Sequence, residues 1–169
     1  MTQSDFLTIV TPFKDKVFRL AKRLLVSTEE AEDATQEVMI KLWKNKKNIK
    51  NYKNVEAFSM TMTKNFCYDK LKSKQAQNLK IVHNNYEDTQ VGLQKQLEDS
   101  DSLDWVGKIM NGLPEQQKLI VQLRDIEQYE FKEIAQMLDM NETAIRVALS
   151  RARKTIKEQL TNTHNYGIK

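Results

Sequence analysis

Phe131-Lys-Glu-Ile-Ala-Gln-Met-Leu-Asp-Met-Asn-Glu-Thr-Ala-Ile-Arg-Val-Ala-Leu-Ser-Arg-Ala-Arg-Lys154 is the stretch from which the fold of this chain is read. Counted from Phe131, apolar residues fall at the fourth, eighth, tenth, fifteenth and eighteenth positions: Ile134, Leu138, Met140, Ile145 and Ala148. Ala135 takes the fifth, where two helices cross too closely for a larger side chain. This is the spacing of a helix-turn-helix. Asp139 stands where such turns usually have Gly, and Asp enters the left-handed backbone region more readily than most residues. Asn141 suits the N-cap of the second helix. The pattern predicts helices over 131–138 and about 142–160.

The second helix has the chemistry of a DNA reader. Arg146, Ser150 and Arg153 recur at steps of four and three, with Arg151 and Lys154 beside them. Arg bonds guanine or phosphate through a planar fork, whereas Lys supplies mainly charge. A helix so placed enters a major groove by its N-terminal end while its partner braces the backbone. An ordinary helical hairpin with a solvated basic face has the same pattern, and the motif leaves open which kind of DNA-binding protein carries it.

Upstream, Leu103, Val106, Ile109 and Met110 form an amphipathic turn or two that ends at Asn111-Gly112-Leu113-Pro114. Pro restarts a helix there, and Leu119, Ile120, Leu123 and Ile126 form its expected core stripe. The N-terminal part is also periodic. Phe6, Ile9, Val10, Phe13, Val17, Leu20, Ala21 and Leu24 form one apolar stripe at helical steps. Pro12 has two readings: a new helix capped by Thr11, or a kink in one longer helix. Ser27-Thr-Glu-Glu30 matches a capping box. The helix after it turns Ala31, Ala34, Val38 and Leu42 inward, with Trp43 at the edge of that side, and Asp33, Gln36, Glu37 and Lys41 outward. Lys44 to Lys53 reads as a helix end and loop. A third helix is predicted over about Val55 to Lys74, with Ala57, Phe58, Met62, Phe66 and Leu71 as apolar positions.

Between these parts the periodicity weakens. Residues 1–83 hold 16 basic and 9 acidic residues, residues 84–104 one basic and 6 acidic, and residues 105–169 10 basic and 8 acidic. Two basic blocks therefore flank an acidic bridge, in which Val91 to Leu97 is a candidate short helix. With only four Gly and two Pro, the composition disfavours a many-stranded β protein. The expected class is all-α: two small helical domains, 1–75 and 103–162, joined by a flexible acidic linker over 76–102, with a tail at 163–169.

Two segments then carry a resemblance. Ala31-Glu-Asp-Ala-Thr-Gln-Glu-Val38, continuing through Ile40-Lys-Leu-Trp43, resembles region 2 of the extracytoplasmic-function sigma factors of the sigma-70 family. The helix-turn-helix, preceded by Leu113-Pro-Glu-Gln116, is similar to region 4 of the same family. The order and separation are those of a member with regions 2 and 4 only. The resemblance implies a promoter-specificity subunit of RNA polymerase. It implies that Asp33, Gln36 and Glu37 dock on the β′ coiled coil of core polymerase, with region 4 on the β flap. It implies that Lys64, Asn65 and Lys72 contact the opened -10 element, with Lys70 and Lys74 along the same strand. An aromatic wedge is not evident; Phe58 lies nearby and is either that or core. Arg146, Ser150, Arg151, Arg153 and Lys154 are the implied readers of the -35 element, while Leu149 and Ile156 read as core. An anti-sigma factor is an implied partner.

Other classes fit less well. The chain has two His, His83 and His164, and one Cys. It has no Gly-rich phosphate loop and no Ser/His/Asp grouping with a shared pocket, so neither catalysis, a cofactor nor a metal is expected. Cys67 has no partner for an internal disulfide, which fits a reducing cytoplasm. No run of about 18 apolar residues would span a membrane, and Met1 to Val10 is unlike a signal peptide. A free-standing regulator would need a ligand or receiver domain where the region 2 segment lies.

Overall fold

The computed structural model describes residues 1–82 and 105–165, which form helices and the turns between them. The chain divides into two units, Met1–Ser102 and Leu103–Lys169, so each lobe must bury a core of its own. The architecture is all-α, two helical lobes in one chain, as the sequence implies. The acidic bridge, its candidate helix at Val91 to Leu97, and Leu103 lie outside the described residues.

In the first lobe, α1 spans Gln3–Leu25 and buries Phe6, Val10, Phe13, Val17, Leu20, Ala21, Leu24 and Leu25. Its start is fixed by a reciprocal capping box: the Asp5 amide donates to Thr2 Oγ1 at 3.2 Å, and the Thr2 amide to Asp5 Oδ2 at 3.0 Å. Pro12 lies inside this single helix, which resolves the two readings of it. Its ring is on the exposed side, where water can serve the carbonyl that loses its amide partner.

Helix α2, Thr28–Lys44, returns against α1 and buries Ala31, Ala34, Thr35, Val38 and Leu42. Ser27 caps it by accepting from the Glu30 amide at 3.4 Å. The Glu30 carboxylate pairs with Lys74 Nζ rather than closing the expected box, and its Oε2 finds no hydrogen-bond partner among the described residues. A helical turn, α3 at Lys46–Ile49, replaces the expected loop because Ile49 is buried and pins it to the core.

Helix α4 runs over Val55–Val82, well past the expected end near Lys74. Its inward face also differs from the expected one. Ser59, Met60, Thr63 and Cys67 are buried, while Ala57, Phe58, Met62, Phe66 and Leu71 are half-buried. The buried hydroxyls are satisfied locally, since Ser59 Oγ donates to the Val55 carbonyl and Thr63 Oγ1 to the Ser59 carbonyl, both at 2.7 Å. Small polar residues therefore face α1 and α2, and the large apolar ones flank the contact. Burial pushes the Cys67 thiol up to about 12.

The second lobe begins with α5, Trp105–Asn111, and α6, Glu115–Val121, which follows Pro114. A π-helical turn, Gln122–Ile126, extends α6, closed by the Glu127 amide bonding the Gln122 carbonyl at 3.0 Å. A π turn inserts an extra residue and shifts the phase downstream. Leu119, Ile120 and Leu123 are buried as expected, but Ile126 is turned out and 40% exposed.

The helix-turn-helix comprises α7, Phe131–Leu138, and α8, Glu142–Asn165. Asp139 is left-handed at φ 52° and ψ 49°, and the Met140 amide reaches back to the Ala135 carbonyl at 3.1 Å. Asn141 Oδ1 accepts from the Ala144 amide at 2.7 Å, capping α8. Ile134, Ile145 and Leu149 are buried in the crossing, each worth about 1.5–3 kcal/mol of transfer free energy. Leu138 and Ile156 are only half-buried, and Met137 takes an inner place instead.

Left-handed backbone favours Gly, so Asp139→Gly is expected to keep or slightly raise stability, and Asp139→Ala to lower it by about 1 kcal/mol. Urea unfolding followed by Trp105 fluorescence in a Trp43→Phe background measures both. Equal losses would contradict the strained-turn assignment.

Candidate nucleic-acid interface

Helix α8 has two sides with different work. Ile145, Ala148, Leu149 and Ala152 form its buried stripe, packed on α6 and α7. At ~100° per residue, the side opposite that stripe carries Thr143, Val147, Ser150 and Lys154. All four are exposed. Arg146 and Arg153 project on one flank and Arg151 on the other, also exposed. The five expected residues thus share the free surface of one helix without forming a single row.

The flank cations are held in place to different degrees. Arg153 is clasped by Asp125 of the π turn, with Nε donating to Oδ2 at 3.1 Å and Nη2 to Oδ1. These bonds raise its already high pKa. Arg146 packs its guanidinium over the Phe131 ring at 4.9 Å, with Glu142 at 3.8 Å. Arg124 lies over the same ring at 4.5 Å and donates to the Tyr129 carbonyl at 2.8 Å. Arg151 makes no ion pair among the described residues. Two arginines are pre-positioned by the scaffold and one is not, a difference invisible in the sequence.

On the first lobe, Asp33, Gln36 and Glu37 lie together on the exposed side of α2. Ile40, 46% exposed, and Lys41 continue that stripe by one more turn. Thr35 stays in the core, its hydroxyl donating to the Ala31 carbonyl at 2.7 Å. The stripe is therefore a rigid polar surface with an apolar end, and Ile40 is a member that the sequence reading missed. Its signal was an apolar residue out of phase with Ala31, Ala34, Val38 and Leu42.

On α4, Asn65 and Lys72 are exposed and two turns apart on one face. Phe58 lies on that face too, stacked on Tyr52 at 4.4 Å between ring centroids and 18° between planes. It is neither core nor a free wedge. Lys64 is half-buried and turned to the flank. Lys74 is engaged by Glu30, and Lys41 lies 5.1 Å over the Phe66 ring. Asn65 and Lys72 are thus brought together with a paired aromatic surface, whereas Lys64 stands apart. Among the described residues no three His, Cys, Asp or Glu side chains are grouped to hold a metal, and no helix is long and apolar enough to cross a membrane.

Residues 9–77 match the family model for sigma-70 region 2, and residues 103–156 that for sigma-70 region 4. The fold is similar to that of the sigma factor RpoE of Bartonella quintana, solved in complex with the anti-sigma factor NepR. Identity is 19%, the TM-score is 0.74, and the match covers 93% of this chain and 97% of that one. It is also similar to CnrH, solved in complex with the cytosolic domain of CnrY, at 13% identity and a TM-score of 0.66 over 95% of this chain and 90% of that one.

The clasp between Asp125 and Arg153 is largely solvated, so a coupling of about 0.2–1 kcal/mol is expected from it. A double-mutant cycle of Asp125→Ala and Arg153→Ala, read by urea unfolding of the second lobe, measures it. Strictly additive losses would show that the contact does not hold in solution.

Proposed function

This chain belongs to the sigma-70 family, and we propose that it is a promoter-specificity factor of the extracytoplasmic-function kind, which binds core RNA polymerase and reads two promoter elements with its two lobes. The observation that carries this reading is the outward side of α8. It is an exposed, cation-flanked surface on a helix capped at its N-terminal end and braced by α7. Such a helix suits the major groove of a -35 element, with Arg146, Ser150, Arg151, Arg153 and Lys154 at bases and phosphates.

The first lobe supplies the other contacts. Asp33, Gln36 and Glu37 on α2 offer carboxylates and an amide to a basic helical partner, in this reading the β′ coiled coil, with the second lobe on the β flap. Asn65 and Lys72, beside the Tyr52–Phe58 stack, suit a single strand of the -10 element, where a base leaves the duplex and stacks on an aromatic surface. Lys64 serves from the flank as a phosphate contact. The chain contributes no bond-making step of its own; the polymerase supplies the chemistry. An anti-sigma factor that covers these surfaces is the proposed regulator, and the cytoplasm, where polymerase works, the proposed location. Run-off transcription with purified core enzyme on genomic fragments tests the whole reading: discrete starts that need this chain support it, and their absence overturns it.

Two substitutions separate the lobes. Gln36→Ala or Glu37→Ala is expected to weaken association with core enzyme several-fold and to leave promoter preference unchanged; an altered preference would contradict the docking role. Arg151→Ala is expected to weaken promoter binding by the holoenzyme and to reduce the salt slope of binding by about 1, core association being unchanged. Loss of core association by this variant would count against a DNA role.

A further inference from the structure

Val147 is the one apolar side chain in the middle of the outward side of α8. Ile145 and Ala148, its neighbours toward the core, are buried, while Val147 is 44% exposed. Thr143 lies one turn before it and Ser150 and Lys154 follow, all exposed. The arginines stand to either side: Arg146, braced on Phe131, and Arg153, held by Asp125, on one flank, and Arg151 on the other. Guanidinium groups at the edges and an aliphatic group at the centre, with Lys154 two turns further on, is the arrangement of a surface that meets phosphates at its rim and base edges in its middle.

The free lobe gains little from Val at this place. A β-branched residue on an exposed helical surface is a poorer helix former than Ala, and Val147 still leaves 44% of its surface in water. Its apolar surface leaves water only when something covers α8. In the floor of a major groove the base edges present donors and acceptors, and the one methyl group among them is that on C5 of thymine. We infer that Val147 is a specificity-determining residue that selects thymine in the upstream promoter element by packing against its methyl group. Thr143, exposed one turn nearer the helix start, offers a second short side chain to the neighbouring base pair. This inference deepens the proposed reading of α8 and rests on it. In this arrangement the clasped and stacked arginines set the depth and register of the helix on the backbone, and the short aliphatic side chain does the discrimination.

The test uses the holoenzyme, formed from the full-length chain and core RNA polymerase. A duplex pool randomised across the upstream promoter segment is first selected by wild-type holoenzyme. The winning duplex is then synthesised with each thymidine in turn replaced by deoxyuridine, which removes the methyl group and keeps every hydrogen-bonding atom. At one thymine the replacement is expected to weaken wild-type binding about four-fold, the worth of roughly one buried CH₂ group. Val147→Ala is expected to weaken binding to the thymidine duplex by a similar factor and to be indifferent to deoxyuridine at that position. Its sensitivity at other thymines should be kept, and so should its affinity for core enzyme. Val147 is exposed, so the variant is expected to fold, and the retained core affinity verifies it.

The outcomes separate cleanly. Selection that succeeds, with Val147→Ala equally weakened on every duplex or sensitive to deoxyuridine as wild type is, overturns the inference and leaves the promoter reading standing. A variant impaired only in binding core enzyme would place a protein, not DNA, against Val147, and overturns it likewise. Failure of the wild-type holoenzyme to enrich any sequence would overturn the promoter reading and this inference with it.

Discussion

Burial of Ile145, Ala148, Leu149 and Ala152 against α6 and α7 is the constraint on which the second lobe depends. Once that stripe is committed to the core, the helical repeat leaves no freedom in which residues face outward. Thr143, Val147, Ser150 and Lys154 are exposed because Ile145 and Leu149 are not. The left-handed Asp139 and the capping Asn141 set where α8 begins, so its first turn stays ordered and open. The π turn adds a further consequence. By shifting the phase after Gln122, it turns Asp125 outward to where it meets Arg153. A local irregularity in one helix thus fixes a cation on another.

The first lobe applies the same logic with different materials. Ala31 and Ala34 let α2 lie close to its neighbours, and the hydroxyls of Ser59 and Thr63 are paid off by their own helix. The core therefore needs few large side chains from α4, whose Phe58, Met62 and Phe66 remain half-exposed. Aromatic surface not used to hold the lobe together is available to a ligand. The half-buried Glu30–Lys74 pair ties α2 to α4, and so couples the helix proposed to meet polymerase to the helix proposed to meet single-stranded DNA.

Elements whose hydrophobic period matches their core face were legible in the sequence. These are α1, α2 and the helix-turn-helix, including the turn at Asp139 and the cap at Asn141. Most of what was not legible shares one physical cause: positions where hydrophobicity and burial part company. Ser59 and Thr63 are polar yet buried, because a helical hydroxyl can satisfy itself, and so the inner face of α4 was misplaced. Ile126 is apolar yet exposed, because a π turn leaves no signature in composition. Ile49 turned a polar stretch into a helical turn. Of the candidate sites, the exposed positions Asp33, Gln36, Glu37, Ser150 and Arg151 follow from phase alone. The engagement of Arg153 and Lys74 by carboxylates distant in sequence does not. Ile40 and Val147 were readable in principle, as apolar residues out of step with the stripes beside them.

The most direct measurement is a DNase footprint on a promoter taken from run-off transcription, with core enzyme, the chain and both together. Protection that covers both promoter segments upstream of the start, present only when core enzyme and chain are combined and lost when either segment is scrambled, is the expected result. Protection that survives scrambling of one segment, or the same pattern with core enzyme alone, would contradict a molecule that reads two promoter elements at once.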